Sequence, residues 1–150
     1  MKALLQRVTK GSVESEGQLT GTIGKGLVVL LGVENGDSDK DLEYLVDKTV
    51  NLRIFDDADG KMNLSIQDVG GEMLVVSQFT LLADTRKGRR PSYVNAAPPD
   101  IADSYYEKYI EKIRSLGIKV ETGVFQTMMV VHIDNDGPVT IMIDSRDKLK

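Results

Sequence analysis

The sequence predicts an α+β chain built on antiparallel or mixed sheets with two separate helices. Three observations predict it. Segments that alternate in polarity or carry β-branched residues come in runs at both ends of the chain, and only two stretches have a helical period. Those two are spaced apart by strands without a regular βαβ alternation, and no GxGxxG or GxxxxGK phosphate motif is present.

Residues 3–8, 12–16 and 18–23 read as strands joined by tight turns, with breaks expected at Gly11, Gly17 and Gly24. Residues 27–33 read as a buried strand. The period then changes: Leu42, Leu45, Val46, Thr49 and Val50 share one helical face, and Ser38 followed by Asp41 is a candidate N-terminal cap. A short strand is expected over 53–55. Asp56, Asp57, Ala58, Asp59 and Gly60 then form an acidic turn signal, without the ligand spacing and terminal Glu of a calcium-binding EF-hand loop. Residues 72–82 read as a central strand that runs on through Ser77, Gln78, Phe79, Thr80 and Leu81. Residues 84–99 have loop composition. From Pro99 a helix presents Ile101, Ala102, Tyr105, Tyr106, Tyr109, Ile110, Ile113 and Leu116 on a broad apolar face, with Gly117 as its stop. On that face the tyrosines are core residues and not a base-stacking platform. Strands over 118–122, 128–133 and 139–143 complete the chain, and with no repeat or linker, residues 1–150 read as one domain.

Composition narrows the chemistry. At 150 residues folding buries roughly 70% of the surface of the unfolded chain, enough for a core without staples. With no cysteine and one histidine, His132, the usual zinc sites cannot be assembled. The first residues are too short and too polar for a signal peptide, and the longest apolar run, 27–31, is far short of a membrane span, so a soluble cytoplasmic protein is expected. A net charge of -4 argues against sequence-independent coating of nucleic acid, yet leaves room for a local basic site.

Two motifs carry more information than any of these. Ser77–Gln78–Phe79–Thr80–Leu81 and Asn135–Asp136–Gly137–Pro138–Val139–Thr140 resemble the two signatures of the D-aminoacyl-tRNA deacylases, also called D-tyrosyl-tRNA deacylases. Gln6, Arg7 and Val8, and Lys87, Gly88, Arg90, Pro91, Ser92 and Tyr93, extend the resemblance from end to end. His132 and Asp134 depart from it, because the family has less polar or small residues there. The resemblance implies a homodimeric, metal-independent and cofactor-independent hydrolase of D-aminoacyl-tRNA. It also implies a three-layer fold with two β-layers and one helical layer, and a cis peptide between Gly137 and Pro138 that enters the partner's active site. It places Ser77, Gln78, Phe79 and Thr80 in the catalytic centre and Gly137, Pro138, Arg7, Phe125 and Met129 around the substrate.

Hydrolysing the ester requires an attacking oxygen, a path for its proton, and donors for the oxyanion. His132 in a strand is not placed as a triad base, and Thr80 is internal, lacking the free amine that activates an N-terminal threonine. Backbone N–H groups near Phe79 and Thr80, with the substrate's own 2'-hydroxyl, form one expected mechanism; covalent attack by Thr80 is the other. Chirality would be read by backbone carbonyls that the cis bond turns to one side, which an L side chain would strike and glycine would not. Arg7 is expected to hold that clamp through charge-assisted hydrogen bonds. Arg86, Lys87, Arg89 and Arg90 are expected either to contact tRNA phosphates or to form a merely solvated loop. A non-catalytic RNA-binding module and a purely structural dimer are the competing readings.

Overall fold

The computed structural model describes residues 1–149. In chain order the elements are β1 (Lys2–Ser15), β2 (Gln18–Ile23), β3 (Gly26–Gly32), α1 (Asp39–Asn51), β4 (Phe55–Asp56), β5 (Met62–Leu64), β6 (Glu72–Ser77), α2 (Pro99–Ser115), β7 (Val120–Thr122) and β8 (Met129–Asp144). The spine is β1. One of its edges pairs with β8 along nearly its whole length; the other is shared between β3, along residues 2–8, and β2, along residues 11–15. β6 adds parallel to β3, and β7 parallel to β6. The sheet curls until β2 touches β6 and β7, so it is nearly closed, and β4 and β5 form a separate small hairpin.

Both faces of the curled sheet are covered. Leu27, Val29, Leu31, Met73 and Val75 face α1 and α2, whereas Val28, Leu74 and Val76 face Val8, Val13 and Ile23 on the inside. That is why β3 and β6 read as unbroken apolar runs: burial on two faces removes the alternation that a half-solvated strand would show. The helices carry the expected residues inward, namely Leu42, Leu45, Val46, Thr49 and Val50 from α1 and Tyr106, Tyr109, Ile110 and Ile113 from α2. Ile101 and Leu116, at the ends of the expected α2 face, remain exposed. Among the described residues no helix is long and apolar enough to cross a membrane.

Three expectations about strands are corrected. β1 does not break at Gly11. A Cβ at that position would lie 2.8 Å from Val28 Cγ2, so this glycine permits close packing inside a strand; the turn is made by Glu16 and Gly17, at φ +51° and +78°. The strand expected over 72–82 stops at Ser77. The two strands expected over 128–133 and 139–143 are one, β8, with residues 136–139 bulging opposite the single residue Arg7. In the acidic turn, Asp57 accepts the Asp59 and Lys61 amides and the Asn63 side chain, the turn expected from composition.

Ser38 caps α1 as expected: its amide donates to Asp41 Oδ2 at 2.9 Å and its hydroxyl to the same atom at 3.1 Å. Burial alone would raise the Asp41 carboxyl. The Ser38 amide, the Ser145 and Ser38 hydroxyls and the nearby Met1 ammonium outweigh burial and hold it at about 2. A carboxyl depressed in the folded state stabilises the fold fully above its ordinary value near 3.8, and loses that contribution as pH falls toward 2. Asp41→Asn is therefore expected to flatten the loss of Tm between pH 4 and pH 2, measured by thermal melts across that window.

Candidate functional site

β6 ends where its neighbour ends. The Gln78 amide donates to Leu31 O at 2.8 Å as a last rung, β3 stops at Gly32, and the chain turns into a 3-10 helix, Phe79–Leu82. The turn sits on a glycine: a Cβ on Gly32 would approach Gln78 O to 3.1 Å and Leu81 Cβ to 3.2 Å. Leu82 anchors the turn in the interior, leaving the Phe79 side chain 55% exposed and Thr80 exposed. The Leu81 amide bonds Gln78 O and the Ala83 amide bonds Thr80 O. Among the described residues the Phe79 and Thr80 amides have no acceptor, so two adjacent donors are left free at the surface. The Thr80 hydroxyl accepts from Gln78 Nε2. It has no carboxylate or imidazole partner among the described residues.

Beside this turn lies a cavity of about 600 Å3. Ser77 and Phe79 form one wall, Tyr93 packing edge-on against Phe79 with centroids 5.0 Å apart. Phe125, Thr127 and Met129 form the facing wall, on the loop between β7 and β8 and the start of β8. Gln126 in that loop has φ +61°, a left-handed conformation uncommon for a residue with a side chain. The floor comes from Ala97, Pro98 and Ala102. Sequence reasoning did not single out this floor; the signal available was the Ala96–Ala97–Pro98–Pro99 run, whose small side chains leave space beneath a helix start.

The structure thus brings Ser77, Phe79, Phe125 and Met129 together around one cavity, with Gln78 and Thr80 on the adjoining turn. Gly137, Pro138 and Arg7 are elsewhere, in a second cluster on the β8 bulge. Asn135 closes the base of the bulge by donating to Arg7 O at 3.0 Å and Val139 O at 3.1 Å, and the Thr140 hydroxyl donates to Asn135 Oδ1 at 2.9 Å. Gly137 has φ +115°, and its bond to Pro138 is cis, as the resemblance implied. Arg7 is buried under this loop. Its Nη1 donates to Ile54 O at 2.9 Å and lies 3.4 Å from Asp56 Oδ1. Its Nε is 3.2 Å from Asp136 Oδ2, an ion pair by distance whose angle is not that of a hydrogen bond. One guanidinium therefore ties the bulge to the β4 hairpin.

The basic loop leaves from the cavity rim and returns to it, closed by reciprocal Asp84 and Ser92 backbone bonds of 2.8 and 3.0 Å. Arg86 is engaged: its guanidinium bonds Asp84 at 2.9 and 2.7 Å and holds that carboxyl at about 2. Lys87, Arg89 and Arg90 are exposed and without an ion-pair partner among the described residues. His132 lies on an exposed part of β8, its Nε2 3.2 Å from Glu14 Oε2, in a shallow depression that shares no lining residue with the cavity.

These positions can be set beside known proteins. The family model described as D-Tyr-tRNA(Tyr) deacylase matches residues 4–144. A protein of Natranaerobius thermophilus named D-aminoacyl-tRNA deacylase is 57% identical over 149 residues, covering 99% of each chain. One of the same name from Dehalococcoides mccartyi is 58% identical over 149 residues, covering 99% of this chain and 97% of its own. The solved structure of the c-Myc DNA Unwinding Element Binding Protein superposes with a TM-score of 0.90 at 42% identity, over 96% of this chain and 98% of that one. Agreement over almost the whole length, spanning both the cavity turn and the Gly137 bulge, makes this chain a member of the D-Tyr-tRNA(Tyr) deacylase family.

Proposed function

We propose that the chain hydrolyses the ester of D-aminoacyl-tRNA, releasing the D-amino acid and free tRNA, and so proofreads chirality in the cytoplasm as a single domain over residues 1–150. The observation that carries this reading is the pair of free amides at Phe79 and Thr80 on the rim of the cavity. Placed on the ester carbonyl, they would stabilise the oxyanion, a contact worth about a hundred- to a thousandfold in rate per donor. Water adds to the carbonyl carbon, the bond to the ribose 3'-oxygen breaks, and the proton released by water ends on that oxygen. The neighbouring 2'-hydroxyl of the terminal adenosine orients the water, and no cofactor or metal is required. Phe125 and Met129 face the aminoacyl end across the cavity.

In this reading the filter against L-residues comes from a second copy of the chain. Gly137 and Pro138 lie apart from the cavity of their own protomer, and a homodimer in which each bulge enters the partner's site would join the two clusters. Such a dimer belongs with the three-layer arrangement of two β-layers and one helical layer. Backbone groups there would meet an L side chain but not the hydrogen of a D-residue at the same place, which leaves glycyl-tRNA as a second substrate. Matched D-, L- and glycyl-tRNA assays test this: cleavage of the D form and the glycyl form with the L form spared is expected, and cleavage of none by folded dimer would end the enzyme reading.

The two mechanisms separate on one comparison. Thr80→Ala is expected to retain activity within about tenfold, because the amide survives the substitution, whereas a 2'-deoxy substrate should lose more than that. If Thr80→Ala is folded but inactive, while the unaltered enzyme cleaves the deoxy substrate normally, Thr80 is the nucleophile instead.

Lys87, Arg89 and Arg90, with Arg86 partly neutralised by Asp84, would hold phosphates near the acceptor end. Replacing the first three by Gln is expected to weaken tRNA binding and to lower the slope of log K against log salt by about 2 to 3. Unchanged slopes in a salt titration would reduce the loop to surface. The same loop favours a second reading, a non-catalytic nucleic-acid-binding module, which the deacylation assay distinguishes.

A further inference from the structure

One side chain that does not line the cavity contacts one of its walls and the strand that leads into the other. Tyr106, on α2 and 3% exposed, donates its hydroxyl to Val75 O at 2.8 Å. Val75 lies two residues before Ser77 and pairs with Thr122, where β7 ends. The phenol therefore takes over where β6 loses its β7 neighbour, shortly before the chain turns to expose the Phe79 and Thr80 amides. The Tyr106 ring meanwhile stacks on Phe125, centroids 6.2 Å apart at 27°, on the facing wall. Ala102, one helical turn earlier on α2, is part of the floor.

We propose that Tyr106 is a positioning residue for deacylation, setting the distance between the turn that carries the two free amides and the Phe125 wall that faces them. The inference rests on the reading that those amides receive the ester carbonyl. Donors act on an oxyanion only when they are already aimed at it, and displacements near an ångström cost large factors in rate. The hydroxyl fixes the strand along its length, the ring fixes the loop, and both are held by one rigid helix. Burial pushes the phenol well above its ordinary value, and the Glu107 and Asp103 carboxylates add to this, consistent with its role as a neutral donor.

The molecule supplies its own control. Tyr109, on the same helix and fully buried, spends its hydroxyl on Thr49 Oγ1 at 2.7 Å, joining α2 to α1 away from the cavity. Tyr106→Phe removes a buried phenol that bonds Val75 O and also interacts with the Thr122 side chain, Tyr109→Phe removes one that bonds Thr49, and both keep the ring, so comparable losses of Tm are expected. Only Tyr106→Phe should lower kcat, by about tenfold with KM within twofold and the pH profile unmoved, while Tyr109→Phe keeps kcat within about twofold. Hydrogen exchange gives a second readout that needs no turnover: the hydrogen-bonded amides of residues 76–78 should exchange faster in Tyr106→Phe and not in Tyr109→Phe. Equal kcat in the two variants, a loss confined to KM, or equal exchange would overturn the proposal. A failure of the amide reading itself appears separately, in the Thr80→Ala and deoxy-substrate comparison, where Tyr106 is intact.

Discussion

An Arg7→Met enzyme is expected to lose about a hundredfold or more in kcat/KM and to discriminate less between D- and L-aminoacyl-tRNA, because misplacement near an ångström costs rates of that order. Methionine keeps an apolar stem of similar reach and removes the guanidinium. Ile54 O loses its buried donor, at about 1 to 3 kcal/mol. Asp56 and Asp136, with side chains 52% and 45% exposed, can return to water, so the fold should survive. What does not survive is the link between the β4 hairpin and the bulge that carries Gly137 and Pro138. Lysine should not rescue it: a single ammonium cannot reach Ile54 O and Asp136 together as the guanidinium does. Full activity with unchanged D/L selectivity in Arg7→Met, at a Tm that confirms folding, would show that the bulge needs no anchor.

Gly26→Ala should produce the largest loss of stability in the chain, more than about 4 kcal/mol, which at this size is a fall in Tm of roughly 10 °C or more. Gly26 opens β3 opposite Glu72 of β6, and a Cβ there would overlap the Glu72 carbonyl oxygen and lie 2.7 Å from its carbonyl carbon and from its nitrogen. The obstacle is backbone in a paired strand, which cannot move aside as a flexible side chain could. Gly24→Ala is the control, since its Cβ meets only Glu72 Oε1 at 3.6 Å. Its loss should stay within about 1 kcal/mol. Thermal melts of the pair decide the point, and equal Tm values would mean that β3 and β6 can separate at their ends without cost.

Where the sequence reading succeeded, the deciding contacts were local. The α1 face, the Ser38 and Asp41 cap and the Asp57 turn depend on residues within about a helical turn of one another, so their spacing is visible in one dimension. Where it failed, the deciding contact was distant. Gly11 looked like a break until Val28 came to rest against it, and Thr80 looked like a strand residue because nothing near it records that β3 stops at Gly32. Part of the cavity lining was legible through the resemblance, which named Ser77, Phe79, Phe125 and Met129. The Ala97, Pro98 and Ala102 floor and the Tyr106 brace were not, because their relation to Ser77 is set by how α2 lies on the sheet.

The sequence by itself determined the mixed strand and helix content, the amphipathic faces of both helices, the presence of the Gly137 and Pro138 pair in a family signature, and membership of that family. Tertiary structure alone decided that β8 is continuous through that pair, that one buried arginine ties it down, and that the Phe79 and Thr80 amides are left without acceptors beside a cavity. The reason is physical: side-chain periodicity and turn chemistry act over a few residues, whereas a free donor is defined by every acceptor that the folded chain fails to bring to it.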